Sequence, residues 1–240
     1  MAERLEDVTA AILAGGLGTR LRSRIADRPK VLALVHGRPY LTYLLDQLAG
    51  AGVRTVVLLT GYRAEQVRST LGNNYAGLSL TYSCEPSPLG TAGAIRRALP
   101  YLSSSTILLL NGDSYCAVSL PDFWEFHHRQ IADLSLVLTP VEDCSRYGRA
   151  FIGPDGRVLR FEEKGQAGGA GWVNAGIYLI NRTLIQEVPS DVVVSLEREM
   201  CPLWASSKRC FGFPCQGRFL DIGTPESYAQ AEAFFACSSG

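Results

Sequence analysis

The residues best suited to chemistry lie in the chain's first loop. LAGGLGTRL at positions 13–21 sets Gly15, Gly16 and Gly18 in one turn, and Arg20, Arg22, Arg24, Arg28 and Lys30 follow with only Asp27 opposing them. Open backbone amides beside guanidinium groups are what a polyphosphate needs. A glycine-rich turn feeding a helix of mixed surface charge is the plainer alternative. Two common nucleotide motifs are excluded: Leu21 stands where the dinucleotide fingerprint requires its third glycine, and no GxxxxGK[ST] loop occurs in the chain. The seven cysteines include no C-x-x-C pair and are odd in number, which reads as free thiols of a cytoplasmic protein. His127 and His128, adjacent on a helix, point in different directions and make a poor metal site.

The elements that must position this loop alternate in type. Residues 8–14 read as an apolar strand, and Leu41, Leu44, Leu45 and Leu48 form a helical stripe that Gly50 and Gly52 end. Residues 53–60 read as a strand, 64–71 as a helix and 78–82 as an alternating strand; a helix opens after Gly90 and runs to Leu99. Residues 106–110, apolar on both faces, belong at the centre of a parallel sheet. This alternation predicts an open α/β sheet, whose ligands sit beyond the carboxyl ends of the strands, where the glycine-rich loop lies. The second half carries a hairpin signal at Pro154, Asp155 and Gly156 between strands at 149–152 and 157–162, then a strand at 173–180. A last strand at 219–222 leads to Thr224 as N-cap, Pro225 as first helical residue and an amphipathic helix over 228–235. With 23 basic and 23 acidic residues the formal charge is zero, which argues against a nucleic-acid partner. The longest apolar stretch near the start is too short to span a bilayer, so no membrane association or secretory leader is expected.

LAGGLGTRLRS with Pro29 and Lys30, PLGTAGAI at 88–95, NGDS at 111–114, FEEK at 161–164, VNAGIY at 173–178 and DIGTPESY at 221–228 follow one another along nearly the whole chain. In this order they resemble the landmarks of the sugar-1-phosphate nucleotidyltransferases. With SRYGRA at 145–150 and SLERE at 195–199, the chain is most similar to the D-glycero-α-D-manno-heptose 1-phosphate guanylyltransferases of that family. The resemblance implies a single-domain, Rossmann-like α/β fold, with a mixed, mostly parallel central sheet flanked by helices and a smaller sugar-binding β region. Its nucleotide-binding half would run over residues 1–115 and its sugar-binding half over 116–240. The implied reaction joins GTP to a sugar 1-phosphate and releases pyrophosphate. Its nucleophile is a phosphate oxygen ionised above about pH 6, so the lack of a Ser–His–Asp arrangement is no obstacle.

The resemblance also assigns residues. Arg20 and Lys30 go to the triphosphate and Lys164 to the sugar phosphate; Asp113 and Asp221 converge to hold Mg²⁺. Of 23 basic residues only Lys30, Lys164 and Lys208 are lysines, so two of three ammonium groups fall where the family uses one. Leu13, Ala14, Gly15, Gly16, Gly18, Thr19, Gly90 and Thr91 would line the nucleotide site, with Asn111, Gly148, Glu163, Asn174 and Asp221 toward the sugar. Glu85 falls at the base-reading position, five residues before Gly90. An ionised carboxylate accepts two parallel hydrogen bonds, which matches the adjacent donors of guanine and opposes a uracil or thymine carbonyl. Cytosine, with one exocyclic amine, is the runner-up. Glu197 has two readings, an approach to the second metal carboxylate or a surface charge on a helix. The functional alternatives are a hexose-1-phosphate nucleotidyltransferase using UTP, dTTP or CTP, an enzyme acting on a non-sugar phosphate, and a non-catalytic nucleotide-sugar-binding regulatory subunit. A homodimer is among the assembly states the sequence leaves open.

Overall fold

A computed structural model describes residues 4–21, 25, 27–162 and 168–236. The first strand, β1 (Thr9–Leu13), is followed by a glycine-rich loop and a short ribbon of β2 (Leu34–Val35) and β3 (Arg38–Pro39). Helix α1 (Leu41–Gly50), β4 (Thr55–Thr60), α2 (Ala64–Leu71), β5 (Asn74–Tyr75), β6 (Leu78–Cys84), α3 (Gly90–Arg97) and β7 (Thr106–Asn111) complete the alternating half. There follow β8 (Ser114–Cys116), α4 (Leu120–Arg129), β9 (Leu134–Val141), β10 (Arg149–Ile152), β11 (Val158–Glu162), β12 (Gly171–Asn181) and α5 (Arg182–Glu187). A π-turn at Leu196–Met200 runs into α6 (Cys201–Ser207), and β13 (Cys210–Pro214), β14 (Phe219–Asp221), α7 (Pro225–Ala229) and α8 (Ala231–Ala236) end the chain.

The central strands β7, β1, β4 and β6 pair in parallel; β7, β1 and β4 are covered on both faces, which accounts for their apolar runs, whereas β6 alternates and exposes part of one face. Ala10, Ile12, Val56, Leu58, Leu108 and Leu110 pack into one core layer, while Ala11, Val57, Leu59, Ile107 and Leu109 pack into the other. Antiparallel β12 lies beside β7 and turns the sheet over to the second half, where β9, β10, β11 and β13 extend it. This is the mixed α/β sheet, parallel at its centre, that the sequence leads one to expect. Strands β9 and β13 were not among the sequence expectations. The final helix is interrupted at Gln230, and its two pieces dock separately: the Tyr228 hydroxyl donates to Leu34 O (2.6 Å), and Phe235 stacks on Tyr43 at 3.8 Å between centroids.

Candidate active site

The carboxyl ends of β1, β4 and β7 open into a cavity of about 450 Å³. Its lining includes Leu13, Gly15, Gly16, Gly18 and Thr19, together with Glu85, Gly90, Thr91, Lys30, Asn111 and Asp113. Ala14 is buried, and its N–H donates to Leu59 O (2.8 Å), so it shapes the wall from behind. Gly90 begins α3 with φ +73°, where a Cβ would strike Val194 O; only glycine brings the helix this close to its neighbouring strap. Glu85 sits over bare backbone, because a Cβ on Gly15 or Gly61 would meet its Oε1 at 2.9 or 2.8 Å. Its Oε2 accepts the Leu89 N–H (3.0 Å). Burial raises the Glu85 pKa, opposed by that N–H and by Arg97.

A second cavity, of about 540 Å³, meets the first at Asn111 and Asp113. Its lining includes Arg20, Tyr147, Gly148, Glu162, Asn174 and Asp221. Strand β14 pairs antiparallel with β8 so that Asp221 lies opposite Ser114, and Ile222 N–H donates to Asp113 O (2.9 Å). The two aspartates, distant in the chain, are thus neighbours. The wholly buried Tyr40 phenol registers both: burial, then Asp113, then Asp221 push its pKa well above the ordinary value. Gly223 N–H donates to Asp221 Oδ1 and fixes that carboxylate. Lys30, only 11% exposed, places its Nζ 2.6 Å from Asp113 Oδ2. At the same junction Asn111 Oδ1 is buried with no hydrogen-bond partner among the described residues. These are hard oxygen donors, two carboxylates and an unused amide oxygen, and they fit a cation that takes one or two carboxylates and completes its shell from substrate phosphate. Among the described residues no group of three or more His, Cys, Asp and Glu forms a fuller cage.

The remaining expectations divide. Arg20 faces the second cavity, beside Asp113, rather than the first. Arg28 pairs with Asp27 (2.7 Å) at the surface. Glu163, Lys164, Arg22 and Arg24 lie outside the described residues. His127 is buried with Nδ1 2.8 Å from Ser135 Oγ, whereas His128 is exposed, so the pair does diverge. The six described cysteines are unbridged. No described helix is long and apolar enough to cross a membrane.

Sequence reasoning missed most of what surrounds Asn174. Its Oδ1 accepts the Gly176 N–H (2.9 Å) and its Nδ2 donates to the Tyr178 hydroxyl (2.7 Å). Tyr178 in turn donates to Glu197 Oε1 (3.2 Å), and the Thr91 hydroxyl donates to Glu197 Oε2 (2.7 Å). Glu197 is therefore not an idle surface charge, and it lines the second cavity together with Asp221. The available signal was the spacing of Asn174 and Tyr178, four apart in an otherwise apolar strand. The β12 bulge at this point, with Gly176 at φ +80°, was not readable from alternation alone.

The nucleotidyl transferase family model matches residues 9–237. The chain is 37% identical over 223 residues to the D-glycero-α-D-manno-heptose 1-phosphate guanylyltransferase of Aneurinibacillus thermoaerophilus, covering 93% of this chain and 96% of that protein. It is 34% identical over 229 residues to the mannose-1-phosphate guanylyltransferase of Mycobacterium tuberculosis, covering 94% of this chain but 64% of the longer relative. Among solved structures, HddC from Yersinia pseudotuberculosis superposes with a TM-score of 0.85 at 34% identity, covering 95% and 99% of the two chains. HddC complexed with GMP-PN gives a TM-score of 0.84 at 33% identity, with the same coverage. The likeness runs from the first strand to the last helix, and by it the chain belongs to the nucleotidyl transferase family.

Proposed function

We propose that this protein transfers GMP from GTP to a sugar 1-phosphate, D-glycero-α-D-manno-heptose 1-phosphate being the acceptor named for the Aneurinibacillus thermoaerophilus relative, to give a GDP-sugar and pyrophosphate. One observation carries the reading: an amide-lined cavity and a polar cavity meet at a single point, where Lys30 and Asp113 lie 2.6 Å apart with Asp221 on the adjoining strand. The first cavity draws its lining from residues 13–113, which supports assigning residues 1–115 to the nucleotide and the remainder chiefly to the sugar.

In this reading the glycine turn and Lys30 hold the triphosphate, while Arg20 faces the acceptor phosphate and Lys164 serves the same anion. Asp113 and Asp221 would hold Mg²⁺, which when bound supplies charge neutralisation to the phosphates. An oxygen of the sugar phosphate attacks the α-phosphorus of GTP; the new P–O bond forms as the bond to the bridging oxygen breaks, and pyrophosphate leaves with that electron pair. No side chain must take a proton, because the attacking oxygen is already ionised above about pH 6. The residues' work is positioning and charge compensation between two anions.

Glu85 supports guanine. Its ionised carboxylate offers acceptors to the ring N–H and exocyclic amine, and a pyrimidine carbonyl would face it unfavourably. The test is a matrix of four nucleoside triphosphates against hexose and heptose 1-phosphates, scored by pyrophosphate. Turnover greatest with GTP is the expected result. Binding without turnover would favour a regulatory subunit, and a leading rate with CTP, UTP or dTTP would overturn the base assignment.

A further inference from the structure

Glu85 is held in place by what two glycines lack. Strand β4 pairs in parallel with β6 to its last residue, Thr60 opposite Cys84, and the Glu85 N–H donates to Thr60 O (2.8 Å). That bond carries the ladder one residue past both strands. Two more backbone bonds draw in the glycine-rich loop: Ala14 N–H donates to Leu59 O (2.8 Å), and Tyr62 N–H donates to Gly15 O (3.3 Å). Gly15, Gly61 and Glu85 are therefore set beside one another by main-chain bonds between three separate segments.

The Glu85 side chain lies across this junction. A Cβ at Gly61 would stand 2.8 Å from Glu85 Oε1 and 3.0 Å from its Cγ, closer than carbon tolerates, whereas the nearest backbone atom, Gly15 O, is 3.2 Å away. The first obstacle to a side chain at 61 is thus the movable Glu85 chain rather than the fold. Gly61 has no positive φ, so an alanine there meets no backbone strain. It lines neither cavity, so whatever it does to a ligand it does through Glu85, which lines the first. The other end of the carboxylate is tied down, because Oε2 accepts the Leu89 N–H (3.0 Å). Each oxygen still has a lone pair for a ligand.

We propose that Gly61 is a positioning residue for base selection: its missing side chain leaves the place in which the Glu85 carboxylate rests, between the Leu89 N–H and the glycine-rich loop. A side chain at 61 displaces Oε1 from that place while leaving the charge in the protein. Two acceptors must meet two donors at once, so a displacement of about 1 Å is enough to weaken recognition. The inference rests on the guanylyltransferase reading for Glu85 as the group that meets guanine, and goes beyond it in naming what sets that group's position.

The experiment compares kcat/KM for GTP, ITP and UTP, at saturating D-glycero-α-D-manno-heptose 1-phosphate, in the wild-type protein, Gly61→Ala, Glu85→Ala and the double variant. ITP lacks the exocyclic amine of guanine and so reports the second hydrogen bond. Gly61→Ala is expected to lower the GTP-to-UTP and GTP-to-ITP ratios by about ten-fold, yet to change them by less than about two-fold in the Glu85→Ala background, because a residue that acts through another has no effect once that other is gone. Thermal unfolding gives a readout independent of turnover: with the carboxylate removed an alanine has room, so the double variant is expected to melt within about 2 °C of Glu85→Ala. Should Gly61→Ala alone not fold, folding restored in the double variant supports the same conclusion. Unchanged ratios in Gly61→Ala, an equal fall for all three triphosphates, an undiminished effect in the Glu85→Ala background, or a double variant that does not fold overturns the proposal. If Glu85→Ala itself leaves the ranking of triphosphates untouched, the guanine reading fails by itself, and the thermal comparison still decides whether Gly61 seats the carboxylate.

Discussion

The two cavities are built by different means. The first is largely backbone: glycines at the ends of parallel strands, held by a sheet whose register leaves no freedom at Leu13, Leu59 and Asn111. The second is largely side chain, presented by antiparallel strands, a hairpin and the strap at 194–200, and oriented by hydrogen bonds between residues up to 106 positions apart. A backbone-built site is robust to its side chains and announces itself by glycine spacing. A side-chain-built site is tunable, and its organisation depends on partners that no local motif reveals.

The largest effect should come where the two meet. Asp113→Asn and Asp221→Asn are each expected to lower kcat/KM by about 10³-fold, the order of several kcal/mol of lost charge stabilisation, with unchanged circular dichroism. Full activity in either would separate the cavities chemically and remove the shared centre. Next, Glu85→Gln should reduce the preference for GTP over other triphosphates by about 10- to 100-fold while leaving KM for the sugar phosphate alone. An altered sugar KM would show that the first cavity is less self-contained than its backbone suggests. Because burial raises the Glu85 pKa, the same preference should weaken on acidification earlier than an ordinary carboxylate would dictate, since the protonated form turns one acceptor into a donor.

Stability contrasts the regions further. His127, on α4 in the second half, has its pKa lowered from 6.5 to about 4, by burial first and then by His128. A depressed folded-state value means its contribution is present above pH 6.5 and is lost as pH falls toward 4, about 3 kcal/mol in all at 1.36 kcal/mol per unit. Urea unfolding at pH 7 and pH 4.5 should show this loss, and His127→Gln should shrink it; an equal acid slope in the variant would refute the assignment. Smallest, Thr224→Ala removes the reciprocal cap with Ser227 ahead of Pro225 and should cost about 1 kcal/mol in the same assay.

The legibility of each part follows its physics. The strands at 55–60 and 106–111 were readable because burial on both faces demands an unbroken apolar run, and Thr224 with Pro225 because a capping box is local. The hairpin at 149–162 was readable from its Pro-Asp-Gly turn. Strands β9 and β13 escaped notice: β9 is fixed between β12 and β13, and β13 is held by β9, relations that join residues distant along the chain. The last helix looked continuous in its periodicity but divides at Gln230, where its aromatic anchors meet different neighbours.

By itself the amino-acid order determined the alternation of elements, the amide-rich turn and the chemistry of the candidate ligands, because each rests on side-chain type, short spacing or local backbone freedom. Tertiary structure alone decided that Asp113 and Asp221 are neighbours, that Arg20 faces the second cavity, and that Glu197 joins Thr91 to Tyr178. Those relations depend on strand register and loop closure over long separations, where one carboxylate has many conceivable partners until the whole chain is packed.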